Sequence, residues 1–83
     1  MATRTFYTNR NKGWMDTGLS APCIIESNKG DVLVATATSI EDLDDVDGLL
    51  LEEPFKRITL DSAAGTVWFK SYIRDSSITV TPF

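Results

Sequence analysis

The densest group of chemically capable side chains in the sequence is the acidic segment 41–47, which carries five carboxylates and no basic residue. Several carboxylate oxygens in one loop are the ligands that Ca²⁺ prefers. Aligning Gly48 with the glycine at the sixth position of an EF-hand loop, however, leaves Leu43 and Pro54 at the first and last ligand positions. The spacing therefore favours a solvated acidic loop that faces a basic partner over an irregular cation site. The carboxylates expected at that contact are Asp42, Asp44 and Asp45.

The sequence offers little for catalysis, because it contains no histidine and no nucleophile set in a recognisable motif. No serine stands in a G-x-S-x-G elbow, and no glycine-rich stretch resembles a phosphate-binding loop. The single cysteine, Cys23, lies in an apolar run without a basic neighbour, which is typical of a buried thiol. We therefore expect no enzymatic activity, no disulfide, no metal and no cofactor.

Five aromatic side chains are the remaining candidates for binding, since such rings stack on sugars or anchor protein interfaces. They are Phe6, Tyr7, Trp14, Trp68 and Tyr72. Trp68 has the opposite phase to Phe69 in an alternating run, so it is expected on the outer face of a sheet. A large outward indole requires covering by another strand, by the N-terminal segment or by a partner.

Charge and hydropathy narrow the class of partner. The formal net charge is −4, and apart from Lys56-Arg57 the basic residues are scattered singly, so nucleic acid is not an expected partner. No apolar run approaches the roughly 20 residues of a membrane-spanning helix, and Met1–Thr5 lacks the apolar stretch of a signal peptide. We expect a protein that is made and kept in a cytoplasm, or assembled from one, with no membrane contact.

The elements that must position these residues are short β-strands, because brief runs rich in Val, Ile, Thr and aromatic residues are separated by turn residues. The predicted strands are 14–17, 23–27, 32–36, 48–51, 55–60, 66–72 and 77–81. About seven such strands predict an all-β fold, a small antiparallel β-sandwich or barrel. At most one helical turn is expected, near Ser39–Asp44, and a hairpin turn at Asn28–Asp31.

The alternation also predicts the core and the domain organisation. The core residues expected from it are Ile25, Val34, Leu50, Ile58, Leu60, Val67, Phe69, Ile78 and Val80, with Cys23 buried beside them. Residues 13–83 are predicted to form a single domain. Residues 1–12 are predicted to form an arm that lies across that domain or reaches a neighbour.

Three stretches resemble small β-sandwich proteins of tailed bacteriophages that serve as virion decoration or accessory proteins. These stretches are Gly13-Trp14 leading into 21–28, Gly48-Leu49-Leu50-Leu51-Glu52, and Gly65–Ser71 with Ser77–Thr81. The chain departs from that pattern at 72–76, where similar sequences place a glycine.

The resemblance implies a virion structural protein, located in the virion and present in many copies or as a homo-oligomer. Its expected partners are other virion proteins on a capsid or tail surface. Two alternatives stay open from the residues. One is a carbohydrate-binding adhesin module of a tail fibre that uses Trp14, Trp68 or Tyr72. The other is a soluble acidic inhibitor of a host protein.

Overall fold

The computed structural model describes residues 3–9, 11–43, 48–51, 57–62, 65–72 and 75–83. The described strands are β1 (Arg4–Thr8), β2 (Met15–Asp16), β3 (Cys23–Lys29), β4 (Val32–Ala37), β5 (Leu49–Leu51), β6 (Arg57–Leu60), β7 (Thr66–Ser71) and β8 (Ser76–Pro82). Within these ranges the only helical element is a 3₁₀ turn, Ile40–Leu43. The prediction of an all-β fold with at most one helical turn is therefore confirmed.

The strands form two four-stranded sheets, and this distinguishes a sandwich from the barrel that the sequence also allowed. The first sheet has the order β1-β8-β3-β6 and the second has the order β2-β7-β4-β5. Every paired strand in both sheets is antiparallel. Side chains from the inner faces of the two sheets meet in one hydrophobic core.

The chain changes sheet at almost every connection, and this corrects the hairpin predicted at Asn28–Asp31. A turn does lie there, and Gly30 has a positive φ of 69°. However, β3 belongs to the first sheet and β4 to the second, so these two strands do not pair. Turn residues reverse a chain equally well within a sheet and between two packed sheets, so the local sequence does not distinguish the two cases.

The core contains most of the residues expected from alternation. The buried apolar residues are Cys23, Ile25, Val32, Val34, Ala37, Leu43, Leu51, Val67, Phe69, Ile78 and Val80. Ile58 and Leu60, on the edge strand β6, are only partly buried against this cluster. The prediction for Leu50 is wrong, because Leu51 is the buried residue of β5 and Leu50 is only half-buried. Because β5 consists of three consecutive leucines, no alternating polar residue indicates which of them faces outward.

The segment predicted as an N-terminal arm contributes a strand that the sequence prediction missed. Residues 4–8 form β1, which pairs with β8 from Arg4↔Val80 to Thr8↔Ser76 and extends the first sheet at its edge. The strand was not predicted because Arg4–Thr8 shows no apolar alternation. Phe6 alone places a large apolar side chain toward the core.

Cys23 provides a first test of the core. Its side chain is fully buried, and this burial raises the pKa of the thiol above its ordinary value. The neutral thiol is favoured in the fold, so the contribution of Cys23 to stability is complete below the pKa of the unfolded chain, about 8.5. It is lost as the pH rises through the raised folded pKa.

We therefore expect the difference in urea midpoint between the wild type and Cys23→Ala to shrink as the pH is raised above about 8.5. In the native protein at neutral pH, a thiol reagent should label Cys23 only at the rate of unfolding. Labelling at the rate of a free cysteine would contradict the burial.

Candidate interaction surface

The outer face of the second sheet carries both tryptophans and several aliphatic side chains. On β7 the inward residues Val67, Phe69 and Ser71 are buried, so the residues between them project outward. The strand register places outward neighbours from β2, β4 and β5 beside them. This outer face, called the tryptophan face below, consists of Trp14, Asp16, Leu33, Ala35, Leu50, Thr66, Trp68, Lys70 and Tyr72.

Trp68 lies half-buried on this face, in agreement with the outward phase predicted for it. Its register partners are Asp16 on β2 and Ala35 on β4. The indole Nε1 donates a hydrogen bond of 3.1 Å to the carbonyl oxygen of Ala37 on β4. The ring therefore leans across the neighbouring strand, and its one polar group is satisfied within the fold, as is usual for a buried indole N–H.

Trp14 covers the adjacent part of the same face. The Lys70 ammonium on β7 lies 5.3 Å from the centroid of the Trp14 ring, within cation–π distance. A Cβ atom added to Gly48 would lie 2.9 Å from Cη2 of Trp14 and 3.5 Å from Cβ of Leu33. The indole of Trp14 thus lies between Lys70 on β7 and Gly48, which precedes β5.

Tyr72 follows β7 in the outward phase and is 53% exposed. Its backbone N–H donates to the carbonyl oxygen of Asp31, which precedes β4. Three of the five aromatic candidates, Trp14, Trp68 and Tyr72, therefore share one face. Leu33 on β4 and Leu50 on β5, which were not predicted as binding residues, are register partners on that face.

Polar side chains border the tryptophan face on its β2 side. Oδ1 of Asp16 accepts hydrogen bonds from the Thr66 hydroxyl, at 2.6 Å, and from the Gly18 backbone N–H, at 2.9 Å. The carboxylate is thereby engaged in holding β2 to β7 and the turn after β2. Asp16 acts here as a structural acceptor.

Of the three aspartates predicted to meet a partner, only Asp42 falls within the described residues; Asp44 and Asp45 lie outside them. Asp42 is exposed in the 3₁₀ turn, where its Oδ2 accepts a 2.8 Å hydrogen bond from the Thr38 hydroxyl. The turn follows the end of β4 at Ala37, so the described part of the acidic segment lies at the Trp68 end of the face. Leu43, in the same segment, is buried and anchors the turn to the body.

Phe6 and Tyr7, the other two aromatic candidates, lie on β1 in the first sheet. The Phe6 ring is 6.0 Å from the Phe69 ring, centroid to centroid, so it packs on the core from the sheet edge. Tyr7 points to the outer side of the same strand and is 73% exposed. The structure therefore separates these two aromatics from the tryptophan face.

The outer face of the first sheet is chemically different from the tryptophan face. Threonine hydroxyls on β1, and on Thr3 just before it, pair with those of β8. The Oγ1 atoms are 3.1 Å apart for Thr3 and Thr81 and 3.3 Å apart for Thr5 and Thr79. Glu26 on β3 and Arg57 on β6 are register partners, and Oε1 of Glu26 lies 3.8 Å from Nε of Arg57. One sheet thus presents a hydroxyl-rich, charged surface and the other presents aromatic and aliphatic side chains.

Among the described residues, no three acidic or cysteine side chains come together in a set able to hold a metal ion. No helix in the described ranges is long and apolar enough to cross a membrane. Comparisons with protein-family models, with curated proteins and with solved structures find no match to the chain.

Proposed function

We propose that this chain is a structural protein of a tailed-bacteriophage virion, a capsid decoration or head-stabilising accessory protein that acts by protein–protein contact. The tryptophan face is the docking surface in this proposal. The observation that carries it is the gathering of both tryptophans, Tyr72 and two leucines on the outer face of one sheet, opposite a hydroxyl-rich face on the other.

Side-chain composition supports a protein partner for this face. Tryptophan and tyrosine are enriched among the residues that dominate binding energy at protein interfaces, and apolar patches with polar borders mark such sites. Here the border is the Asp16–Thr66 pair on one side and the acidic turn at the Trp68 end. The indoles are already ordered by Ala37, Lys70 and Gly48, so little side-chain entropy is lost on docking.

The small size of the chain gives a physical reason for it to bind a partner. A domain of 83 residues without a disulfide has a small core and modest stability. A partner that binds only the folded form adds to that stability by mass action. A particle surface that offers many equivalent sites at high local density is such a partner.

A role by contact rather than by chemistry is supported by the state of the one thiol. Cys23 is buried and its pKa is raised by that burial, whereas a cysteine nucleophile requires exposure and a lowered pKa. Among the described carboxylates, Asp16 and Asp42 accept hydrogen bonds from threonine hydroxyls, and Glu26 pairs with Arg57.

The assignment to a virion draws on the resemblance of the sequence to phage accessory proteins. A tail-fibre module that binds carbohydrate is the second candidate, because Trp14, Trp68 and Tyr72 share one face on which sugar rings can stack.

Mass spectrometry of purified particles from the phage that encodes the chain tests both candidate functions. We expect stoichiometric amounts of the chain, and its absence from particles would overturn the proposal. A glycan array with the isolated domain separates the two candidates, because only the adhesin should give specific binding.

Tyr72 and Phe83 allow a matched test of the docking surface. Both aromatic side chains are 53% exposed, but only Tyr72 lies on the tryptophan face. We expect Tyr72→Ala to weaken binding to stripped particles about tenfold or more, since truncation of an aromatic that anchors an interface costs about 1.4 kcal/mol or more. Phe83→Ala should leave the affinity within about twofold of wild type. If the two substitutions changed particle occupancy equally, the tryptophan face would not be the docking surface.

A further inference from the structure

The four edge strands of the sandwich differ in how well they are protected against pairing with another chain. An edge strand exposes unpaired N–H and C=O groups, and proteins protect such edges with short strands, charges, prolines or bulges. In the second sheet β2 has two residues and the described part of β5 has three, so both edges are short over the described residues. In the first sheet β6 begins at Arg57, and Pro54 and Lys56 precede it in the sequence.

Strand β1 lacks these protections. It is five residues long, it contains no proline or lysine, and its register with β8 runs without a bulge from Arg4 to Thr8. Its one charged residue, Arg4, stands at the end of the strand, with its guanidinium carbon 5.7 Å from the centroid of the Phe6 ring on the same strand. The outward residue Tyr7 is 73% exposed.

We propose that β1 pairs antiparallel with β1 of a second copy of this chain, around a two-fold axis at Phe6. The two first sheets would then join into one continuous eight-stranded sheet. Phe6 is the middle residue of β1, so this register is the one in which all five residues of each strand are paired. The tryptophan face lies on the other sheet, so self-pairing does not depend on what that face binds.

The side chains of β1 are complementary to themselves in this register. Phe6 meets Phe6 of the second copy on the inner side, and cross-strand aromatic pairs stabilise antiparallel sheets. On the outer side Thr5 meets Tyr7 of the second copy, which extends the line of hydroxyls formed by Thr5 and Thr79. The two Arg4 residues are four positions apart along the pair, about 14 Å at 3.4 Å per residue, so screening weakens their repulsion.

Sedimentation equilibrium across a concentration series tests the pairing. We expect the wild type to dimerise, with a mass of 18.4 kDa, twice the 9.2 kDa of the chain. Thr5→Lys with Tyr7→Lys places lysine opposite lysine at both outer pairs and should raise the dissociation constant about tenfold or more, which is about 1.4 kcal/mol. Thr5→Glu with Tyr7→Lys places opposite charges at the same pairs and should restore the dimer. Thr59→Lys, an exposed position on β6, is the control and should leave the dimer unchanged.

A wild type that stays monomeric, or a dimer that the double-lysine variant leaves unchanged, would overturn the pairing. Loss of the dimer in both double variants would overturn the register at Phe6. Circular dichroism of each variant establishes that the sandwich is intact, so that a lost dimer reflects the edge and not unfolding.

Discussion

Phe69→Ala is expected to remove a large part of the stability of this domain. The Phe69 side chain is fully buried on β7, and it contacts Phe6 across the two sheets. Truncation of a buried phenylalanine costs about 3–5 kcal/mol, because burial is lost and a cavity remains. At about 0.05–0.15 kcal/mol per residue, a chain of 83 residues has roughly 4–12 kcal/mol in total.

Urea unfolding followed by circular dichroism measures this loss. Phe83→Ala removes the same atoms from a ring that is 53% exposed, and it should cost less than about 1 kcal/mol. Phe69→Leu keeps most of the buried volume, so it should fold and show an intermediate loss even where Phe69→Ala does not fold. A Phe69→Ala protein whose free energy of unfolding lies within about 1 kcal/mol of the wild-type value would contradict the burial of this ring.

Gly65→Ala is the second substitution expected to be severe. Gly65 has a φ of 78°, a conformation that costs other residues about 1–2 kcal/mol. A Cβ there would also overlap the carbonyl group of Ala37 and lie 2.7 Å from the backbone nitrogen of Thr38. The backbone between β4 and the 3₁₀ turn would have to move, and overpacking of this kind costs about 1–3 kcal/mol more.

Gly18 provides the matched control for that prediction. Its φ of 74° is nearly the same, but a Cβ there would meet nothing within 4 Å. Gly18→Ala should therefore show the conformational cost alone, and Gly65→Ala should exceed it by at least about 1 kcal/mol in the free energy of unfolding. Gly65→Ala should also alter the tryptophan fluorescence, because the Ala37 carbonyl accepts the hydrogen bond of Trp68. Equal losses for the two variants would show that Gly65 is not in contact with Ala37.

The strands were predictable from the sequence because alternation marks which side chains are buried. Ile78 and Val80 alternate with polar residues, and both are fully buried on β8. Alternation indicates which face of a strand is buried, but it does not indicate which other strands pair with that strand. The pairing of β3 with β8, rather than with β4, follows from the packing of two sheets and is absent from the local pattern.

The candidate surface was only partly predictable. The outward phase of Trp68 follows from its place beside Phe69 in an alternating strand. That Trp14 shares the face depends on the register of β2 with β7, where Met15 meets Phe69. Leu33 was missed because β4 has little polar alternation, so its apolar outward residues resemble core residues. Strand β1 was missed because tertiary pairing with β8, rather than its own pattern, makes it a strand.

Hydroxyl-radical footprinting of the chain, free and bound to particles, tests the docking of the tryptophan face most directly. Mass spectrometry resolves oxidation at individual aromatic residues, so proteins of the particle do not interfere. We expect strong protection of Trp14, Trp68 and Tyr72 on the particle and unchanged oxidation of Phe83. Unchanged oxidation of the two tryptophans in the bound protein would contradict it.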